Sequence, residues 1–310
     1  MESLIEVRNI FKKFGNKIIL QNINLQINKG DIFGIIGGSG AGKTVFLKLL
    51  IGFLKPDKGT ILLTNENIHN KISHIRKTFG FCTQDHCFYP ELTVLENINY
   101  SGRIYQVNSK IMKRTCNALL NLLELESYKD TIAKNLSGGT QRRLDIICSM
   151  IHSPRVLLLD EPLTGLDPIL RKKMIKILRE INALGITIIL SSHYLDEIED
   201  FCTNIGILNK SELMICDTPQ NVRDKYAKYT ILKICSSPGN YAKILEKINQ
   251  LISLKQSKIT KTELELHLAR PTDNSNFYKI VNIISSQGET ITLIEYELPK
   301  LNETFENLIT

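Results

Sequence analysis

The fold of this chain is decided by a stretch that reads Asp31-Ile32-Phe33-Gly34-Ile35-Ile36-Gly37-Gly38-Ser39-Gly40-Ala41-Gly42-Lys43-Thr44. The continuous apolar run that ends at Ile36 predicts a fully buried strand. Beyond the glycines, apolar residues return at helical spacing, at Phe46, Leu49, Leu50 and Phe53. A strand, a glycine-rich loop and a helix in this order predict the opening of an α/β core.

The loop has the Gly-x-x-x-x-Gly-Lys-Thr spacing of a phosphate-binding P-loop. Glycines let the backbone wrap a polyphosphate, so that successive N–H groups and the helix N terminus face the anion. Lys43 supplies a charge for the β- and γ-phosphates, and the Thr44 hydroxyl can bind Mg²⁺. A glycine-rich turn beside a surface lysine is the disfavoured alternative. The residues predicted to bind nucleotide here are Gly37, Gly38, Ser39, Gly40, Ala41, Gly42, Lys43, Thr44 and Val45.

A second apolar run, residues 156–159, ends in the carboxylates Asp160 and Glu161. A β-rich run follows at 186–190, and the helix predicted over 169–182 between them indicates a parallel sheet, whose strand C termini bind ligands. Asp160 could hold Mg²⁺, and Glu161 could orient or deprotonate an attacking water. Adjacent acids at a strand end are also common in solvated loops, so this prediction depends on the P-loop.

The sequence Leu136-Ser137-Gly138-Gly139-Thr140-Gln141-Arg142-Arg143 precedes a predicted helix that carries Leu144, Ile147 and Ile151. It presents a serine and two unobstructed backbone amides at a helix N terminus, which predicts a second anion-binding site. The chain thus has two predicted phosphate sites but a single P-loop, and the role of the second site has to be explained.

Together these motifs resemble the ATP-binding cassette (ABC) ATPases, and the resemblance extends over about residues 4–225. In that family the signature sequence, here Ser137 to Gly139, completes the ATP site of a second copy. The resemblance implies an ATP-binding and ATP-hydrolysing protein that requires Mg²⁺. The stretch 88–97 is similar to the family segment that touches a membrane partner.

The resemblance also implies roles for single residues. Phe14 matches the aromatic that stacks on adenine, although it could be a core aromatic, and Asp167 belongs to the D-loop. His193 matches the switch histidine, which would otherwise be a structural histidine. The implied catalytic residues are Glu161, His193 and Gln84, the last from the Q-loop. The implied Mg²⁺ ligands are Thr44, Gln84 and Asp160, and the implied cofactor-binding residues beyond the P-loop are Phe14, Ser137, Gly138, Gly139 and Asp167.

Three positions depart from the family pattern. Val45 stands where the family has Ser or Thr, which removes one hydroxyl from the α-phosphate and about 1 kcal/mol of hydrogen bonding. Thr140 replaces the usual Gln or Met of the signature, and Phe14 replaces the commoner Tyr. Because no catalytic group is lost, we expect an active ATPase.

The length of 310 residues fits two domains, since typical domains have about 150 residues. We expect an α/β P-loop NTPase core over 1–225, with a helical subdomain inserted at about 90–152. The strand and helix patterns over 226–310 follow the order βαββαβ, which predicts a small α+β ferredoxin-like domain. Its ending, residues 298–305, is similar to the appended domain of drug- and antibiotic-resistance exporters.

Composition narrows the function classes. With 43% apolar and 23% charged residues, the chain is typical of globular proteins. Seven scattered cysteines suit a reduced compartment, and Cys82 and Cys87 lack a second Cys/His pair for a zinc site. No apolar run approaches the roughly 18–20 residues needed to cross a bilayer, so any membrane role is expected to be peripheral. The net charge of +7 suits an anionic partner without choosing one.

The leading hypothesis is the ATPase subunit of an ABC exporter. Its expected partners are a separate transmembrane permease subunit and a second copy of itself or a homologous ATPase, and we expect no nucleic acid. We place it in the cytoplasm, peripheral on the inner face of the cell membrane. One alternative is a soluble ABC-type ATPase acting on nucleic acid or ribosomes, which the net charge of +7 would favour. A regulatory module that only binds ATP is a third.

Overall fold

The computed structural model describes residues 2–70, 75, 77–193, 195, 198–270 and 274–303. The chain divides into two compact units, residues 1–218 and 219–310. The boundary expected from sequence was 225/226. Helix α6 (Pro219–Tyr226) lies in the second unit, where the Arg270 guanidinium donates to the Asp224 carbonyl.

The first unit contains an antiparallel sheet whose strand order is β2-β1-β4-β5. Its core comes from apolar residues that alternate with polar ones, such as Val7, Ile23 and Ile61, all nearly inaccessible to solvent. These residues lie in one hydrophobic cluster with Phe33 and Phe46. The strands are β1 (Ser3–Phe14), β2 (Lys17–Asn28), β4 (Lys58–Leu63) and β5 (Glu66–Asn67), and a 3₁₀ helix follows at Ile68–Asn70.

A six-stranded mixed sheet holds the motifs, in the order β10-β9-β3-β8-β7-β6. All neighbours pair in parallel except β10, which is antiparallel to β9. The C termini of β3, β6, β7 and β8 therefore meet at one edge. The strands are β3 (Ile32–Ile36), β6 (Phe79–Cys82), β7 (Val156–Leu159), β8 (Thr187–Ser192), β9 (Asn204–Asn209) and β10 (Glu212–Asp217). The associated helices are α1 (Lys43–Leu50) and α5 (Pro168–Ala183).

The chain between β6 and β7 is helical. Thr93 starts α2 with a capping box, in which its hydroxyl accepts from the Glu96 amide and the Glu96 carboxylate accepts from the Thr93 amide. Buried Asn97 then donates to the carbonyls of Tyr89, Leu92 and Thr93 and so holds the chain that enters this region. The helices are α2 (Val94–Ile104), α3 (Ser109–Leu122) and α4 (Gly138–Met150), with 3₁₀ turns at Glu126–Tyr128 and Ala133–Asn135.

The second unit has its own core. Its sheet runs in the order β12-β13-β11-β14, with every pair antiparallel. Leu232, Leu266, Ile244 and Ile280 are fully buried in one cluster, so helices α7 and α8 pack on one face of the sheet. The elements after α6 are β11 (Tyr229–Ser237), α7 (Tyr241–Leu251), β12 (Leu254–Ile259), β13 (Leu264–Ala269), α8 (Asn274–Ser286) and β14 (Thr290–Glu297). Thr304 and Phe305, which belong to the exporter-like ending, lie outside the described residues.

Candidate nucleotide-binding site

The P-loop connects β3 to α1 and requires glycine at two positions. Gly42 has φ of 99°, and a Cβ there would lie 2.9 Å from Leu20 Cδ2. A Cβ on Gly37 would lie 2.5 Å from the Leu208 carbonyl oxygen. The sequence therefore adopts this loop because only glycine tolerates both the left-handed backbone and the close approach.

The loop lines a cavity of about 720 Å³ at the C-terminal edge of the parallel strands. Gln84, Glu161 and His193 come from three different loops and line the same cavity. The sequence analysis did not select Lys17 and Ile19, which come from β2 on the antiparallel sheet. The lining residues are Lys17, Ile19, Gly38, Ser39, Gly40, Ala41, Gly42, Lys43, Thr44, Val45, Gln84, Glu161 and His193.

Lys43 is buried and all its donors are engaged. Its ammonium donates to the carbonyls of Gly37 and Gly38, at 2.8 and 3.3 Å, and lies 3.1 Å from Glu161 Oε1. An ammonium has three N–H donors, so a phosphate bound to Lys43 must compete with one of these partners. The ion pair with Glu161 is the partner that a phosphate, itself an anion, can replace.

Glu161 is held from several sides. Nδ1 of His193 lies 2.8 Å from Glu161 Oε2, and the Thr164 hydroxyl donates to the same oxygen at 3.1 Å. The Glu161 backbone has φ of 50°, an unusual conformation for a residue with a side chain, and its amide donates to Ser191 Oγ. This carboxylate is thus fixed in the cavity beside the P-loop lysine.

Ser191 is a residue that sequence analysis missed. It is fully buried at the end of β8, and its hydroxyl donates to Asp160 Oδ1 at 2.6 Å while accepting the Glu161 amide. It therefore fixes both neighbouring acids at once. The available signal was its place at the end of a buried strand, two residues before His193.

The donor set suits Mg²⁺. A hydroxyl, Thr44, and an amide, Gln84, line the cavity, and the Asp160 carboxylate is buried at the end of β7. Mg²⁺ is usually bound by one or two protein oxygens together with phosphates and water, and not by an all-protein cage. The described residues contain no group of three His, Cys, Asp or Glu side chains that could hold a metal ion.

The signature residues lie elsewhere. Ser137 caps α4 and its Oγ accepts from the Thr140 amide, while nothing lies within 4 Å of a Cβ built on Gly138. The described residues lining the P-loop cavity do not include Ser137, Gly138 or Gly139. The P-loop and the signature are therefore two separate sets within one chain.

Asp167 and Phe14 are also absent from the described lining of the cavity. Asp167 caps α5, where its carboxylate accepts from the amides of Ile169 and Leu170. Phe14 is 48% exposed at the end of the β1–β2 hairpin and pairs with Lys17, which does line the cavity. The Lys12 ammonium lies 5.3 Å from the centre of the Phe14 ring. Phe14 is thus an accessible ring near the cavity and not a core aromatic.

Comparison with known proteins identifies this arrangement. The family model described as ABC transporter matches residues 20–164. The chain is 28% identical over 306 residues to the linearmycin resistance ATP-binding protein LnrL of Bacillus subtilis, covering 98% of each. It is 30% identical over 270 residues to the Nod factor export ATP-binding protein I of Sinorhizobium fredii, covering 84% of this chain and 79% of that protein. It is 35% identical over 248 residues to the spermidine/putrescine import protein PotA of Fusobacterium nucleatum, covering 79% and 66%.

Solved structures of ABC transporter components also match the chain. The chain matches cbiO1 of Clostridium perfringens, described as part of the ABC transporter complex cbiONQ, with a TM-score of 0.68, 27% identity and coverage of 73% of this chain and 92% of that chain. It matches the ADP conformation of MJ1267, an ATP-binding cassette of an ABC transporter, with a TM-score of 0.65, 26% identity and coverage of 73% and 96%.

The fold and the cavity define a P-loop ATPase built on mixed α/β sheets. The chain belongs to the ABC transporter family, as an ATP-binding subunit whose relatives include exporter components. The resemblance inferred from sequence is confirmed. ATP hydrolysis is the characteristic activity of these subunits, and this chain is an ATPase of that type.

Proposed function

We propose that the chain is the ATPase subunit of an exporter and that two copies close head to tail over two ATP molecules. The observation that carries this proposal is the separation of the P-loop cavity from Ser137, Gly138 and Gly139 in one chain. A helix N terminus with unobstructed backbone amides can bind an anion, and the ATP of a second copy would supply the phosphate that binds there. Asp167 and Phe14 would complete each site from the flanking loops.

The chemistry follows from the contacts around Glu161. Polyphosphate binding at Lys43 releases the Glu161 carboxylate from its ion pair, so that it can orient or deprotonate water while His193 Nδ1 steadies it. Mg²⁺ would be held by Thr44, Gln84 and Asp160, and it would neutralise charge on the bound phosphates. The work done on the transporter comes from closure of the two copies, and not from a reaction on the transported molecule.

The domain organisation is part of the same proposal. Helices α2, α3 and α4 between β6 and β7 support a helical subdomain at about 90–152 within a core of 1–225. The βαββαβ order and the antiparallel strand order β12-β13-β11-β14 support a ferredoxin-like accessory domain at 226–310.

A separate permease subunit is the proposed membrane partner. In the described part of the chain, no helix combines the length and apolar character needed to cross a bilayer. Phe53 is 73% exposed, and α2 presents Tyr100, which packs edge-on against exposed Tyr89. A contiguous exposed apolar patch marks an interaction surface, and we propose that these residues form one. Phe53 also lines a 180 Å³ groove, together with Ile51, Gly52, Ile75, Phe79, Phe81 and Tyr105.

We infer that this surface receives a cytoplasmic segment of the permease, which would make the chain peripheral on the inner face of the membrane. Export is favoured over import because the relatives matched over 98% and 79% of their length are a linearmycin resistance ATP-binding protein and a Nod factor export ATP-binding protein. PotA, an import ATP-binding protein, is matched over 66% of its length.

The Glu161→Gln variant tests the paired mechanism. It keeps the shape of the side chain but removes the base, so we expect ATP binding to persist, hydrolysis to stop and a dimer to accumulate in saturating MgATP. Size-exclusion chromatography with light scattering measures the dimer, and Lys43→Ala, which should neither bind ATP well nor dimerise, is the control. A Glu161→Gln protein that binds ATP but stays monomeric would contradict the head-to-tail model. Stimulation of the wild-type ATPase by RNA or DNA would instead favour the nucleic-acid hypothesis.

A further inference from the structure

Arg142 of α4 connects two loops of the catalytic cavity. Its side chain is buried, with Nη1 donating to the Thr83 carbonyl at 2.6 Å and Nη2 donating to the Asp160 carbonyl at 2.6 Å. Thr83 immediately precedes Gln84, and Asp160 immediately precedes Glu161. One planar guanidinium therefore joins the main chain beside Gln84 to the main chain beside Glu161, a span that its fixed fork of donors allows.

Asp145, one turn along the same helix, holds the other side of Gln84. Its carboxylate is fully buried and accepts from the Cys87 amide at 2.7 Å, with His86 Nδ1 2.7 Å away. Arg142 Nη1 lies 3.9 Å from Asp145, which compensates the buried charge. Residues 83 and 87, on either side of Gln84, are thus both attached to α4, the helix whose first turn is the signature.

We propose that Arg142 is a positioning residue for ATP hydrolysis, which sets the places of Gln84 and Glu161 from the signature helix of the same chain. The neighbouring Arg143 shows why this role is specific. It is similarly buried on the same helix, but its guanidinium donates to the carbonyls of Leu123 and Glu124 and to the Thr140 hydroxyl. None of these hydrogen bonds in the described part of the chain reaches the loops of the cavity. Only Arg142 of this pair reaches the main chain at the ends of both β6 and β7 in the described structure.

The inference rests on the proposed function in one respect. If α4 meets the ATP of a second copy, Arg142 connects that contact to Gln84 and Glu161, which act on the ATP of its own chain. A movement of α4 on closure would then be passed directly to both loops. The hold on residues 83 to 87 is made entirely by residues of one chain, so it can be measured apart from the dimer.

The test compares Arg142→Ala and Arg142→Lys with the matched control Arg143→Ala. Amide hydrogen exchange without nucleotide should be faster by roughly tenfold at residues 84–87 in Arg142→Ala and unchanged there in Arg143→Ala. In steady-state kinetics, Arg142→Ala should lower kcat by about tenfold or more, with KM for ATP changed less than about threefold, because the P-loop contacts are intact. Arg142→Lys should recover part of kcat, since an ammonium keeps the charge and reaches one carbonyl.

Several results would overturn the proposal. Unchanged exchange at 84–87 in both Arg142 variants would show that the guanidinium does not hold this segment, and this result does not depend on catalysis. Equal losses of kcat in Arg142→Ala and Arg143→Ala would show a general effect on the helix. If Arg142→Ala fails to fold, wild-type kcat in Arg142→Lys would count against positioning. An absence of wild-type ATPase activity would contradict the proposed function. The hydrogen-exchange comparison would then decide by itself whether Arg142 positions the segment around Gln84.

Discussion

Val45 shows how a single side chain tunes nucleotide affinity. It lines the P-loop cavity next to Thr44 and also packs against the core cluster of the first unit. Threonine has nearly the same shape, so Val45→Thr can add a hydroxyl toward the phosphates with little repacking. A hydrogen bond of about 1 kcal/mol should tighten ATP binding by roughly fivefold.

Equilibrium titration with a fluorescent ATP analogue would measure this gain. Val45→Ala is the control, because it loses packing and gains no hydroxyl, and it should bind ATP no more tightly than the wild type. If Val45→Thr bound ATP with unchanged affinity, the missing hydroxyl would not be what sets affinity at this position.

At the scale of one element, Glu289 organises the connection between β11 and α7. Its buried carboxylate accepts from the amides of Gly239 and Asn240 and from the Ser236 hydroxyl. Burial raises the pKa of Glu289, but the amides of Asn240 and Gly239 and the Ser236 hydroxyl outweigh burial, so the pKa lies below its ordinary value of 4.5. The ionised form is therefore the one that the fold stabilises.

A group with a lowered pKa contributes stability above its unfolded-state pKa and loses it as the pH falls through the folded-state pKa. We therefore expect Glu289→Gln to destabilise the second unit at pH 7, and the difference from wild type to shrink as the pH falls below 4.5. Urea denaturation followed by circular dichroism measures this difference. Glu246→Gln, at an exposed glutamate of α7, is the control, and a pH-independent effect of Glu289→Gln would contradict the ionic role.

At the scale of the whole molecule, the exposed aromatics Phe53 and Tyr100 belong to the surface that we propose for docking the permease. Replacing Phe53 and Tyr100 by Ser removes apolar area from the proposed docking surface without touching the cavity. We expect the double variant to lose association with membranes that contain the permease, while its basal ATPase activity is retained. Leu184→Ser is the matched control, since Leu184 is a similarly exposed aliphatic residue on the turn after α5. Sedimentation with permease-containing membranes is the measurement. Equal sedimentation of the double variant and the Leu184→Ser control would contradict the proposed docking surface.

The sequence by itself determined the local features. The strand, loop and helix around Lys43 and the apolar strand before Asp160 are visible because burial imposes periodicity on consecutive residues and the P-loop imposes glycine at set positions. Family resemblance then extended the prediction to Gln84 and His193. Gln84 and His193 line one cavity with Lys43, and Asp160 directly follows strand β7.

Only the tertiary structure decided which distant residues touch. Strand β8 lies between β3 and β7, and this order brings Ser191 to Asp160 and Lys43 to Glu161. The hold of Arg142 on two strand ends likewise depends on the position of α4 against β6 and β7. Such contacts leave no periodic trace in the sequence, because they join residues far apart along the chain. Those of Arg142 also end on main-chain carbonyls, which every residue carries.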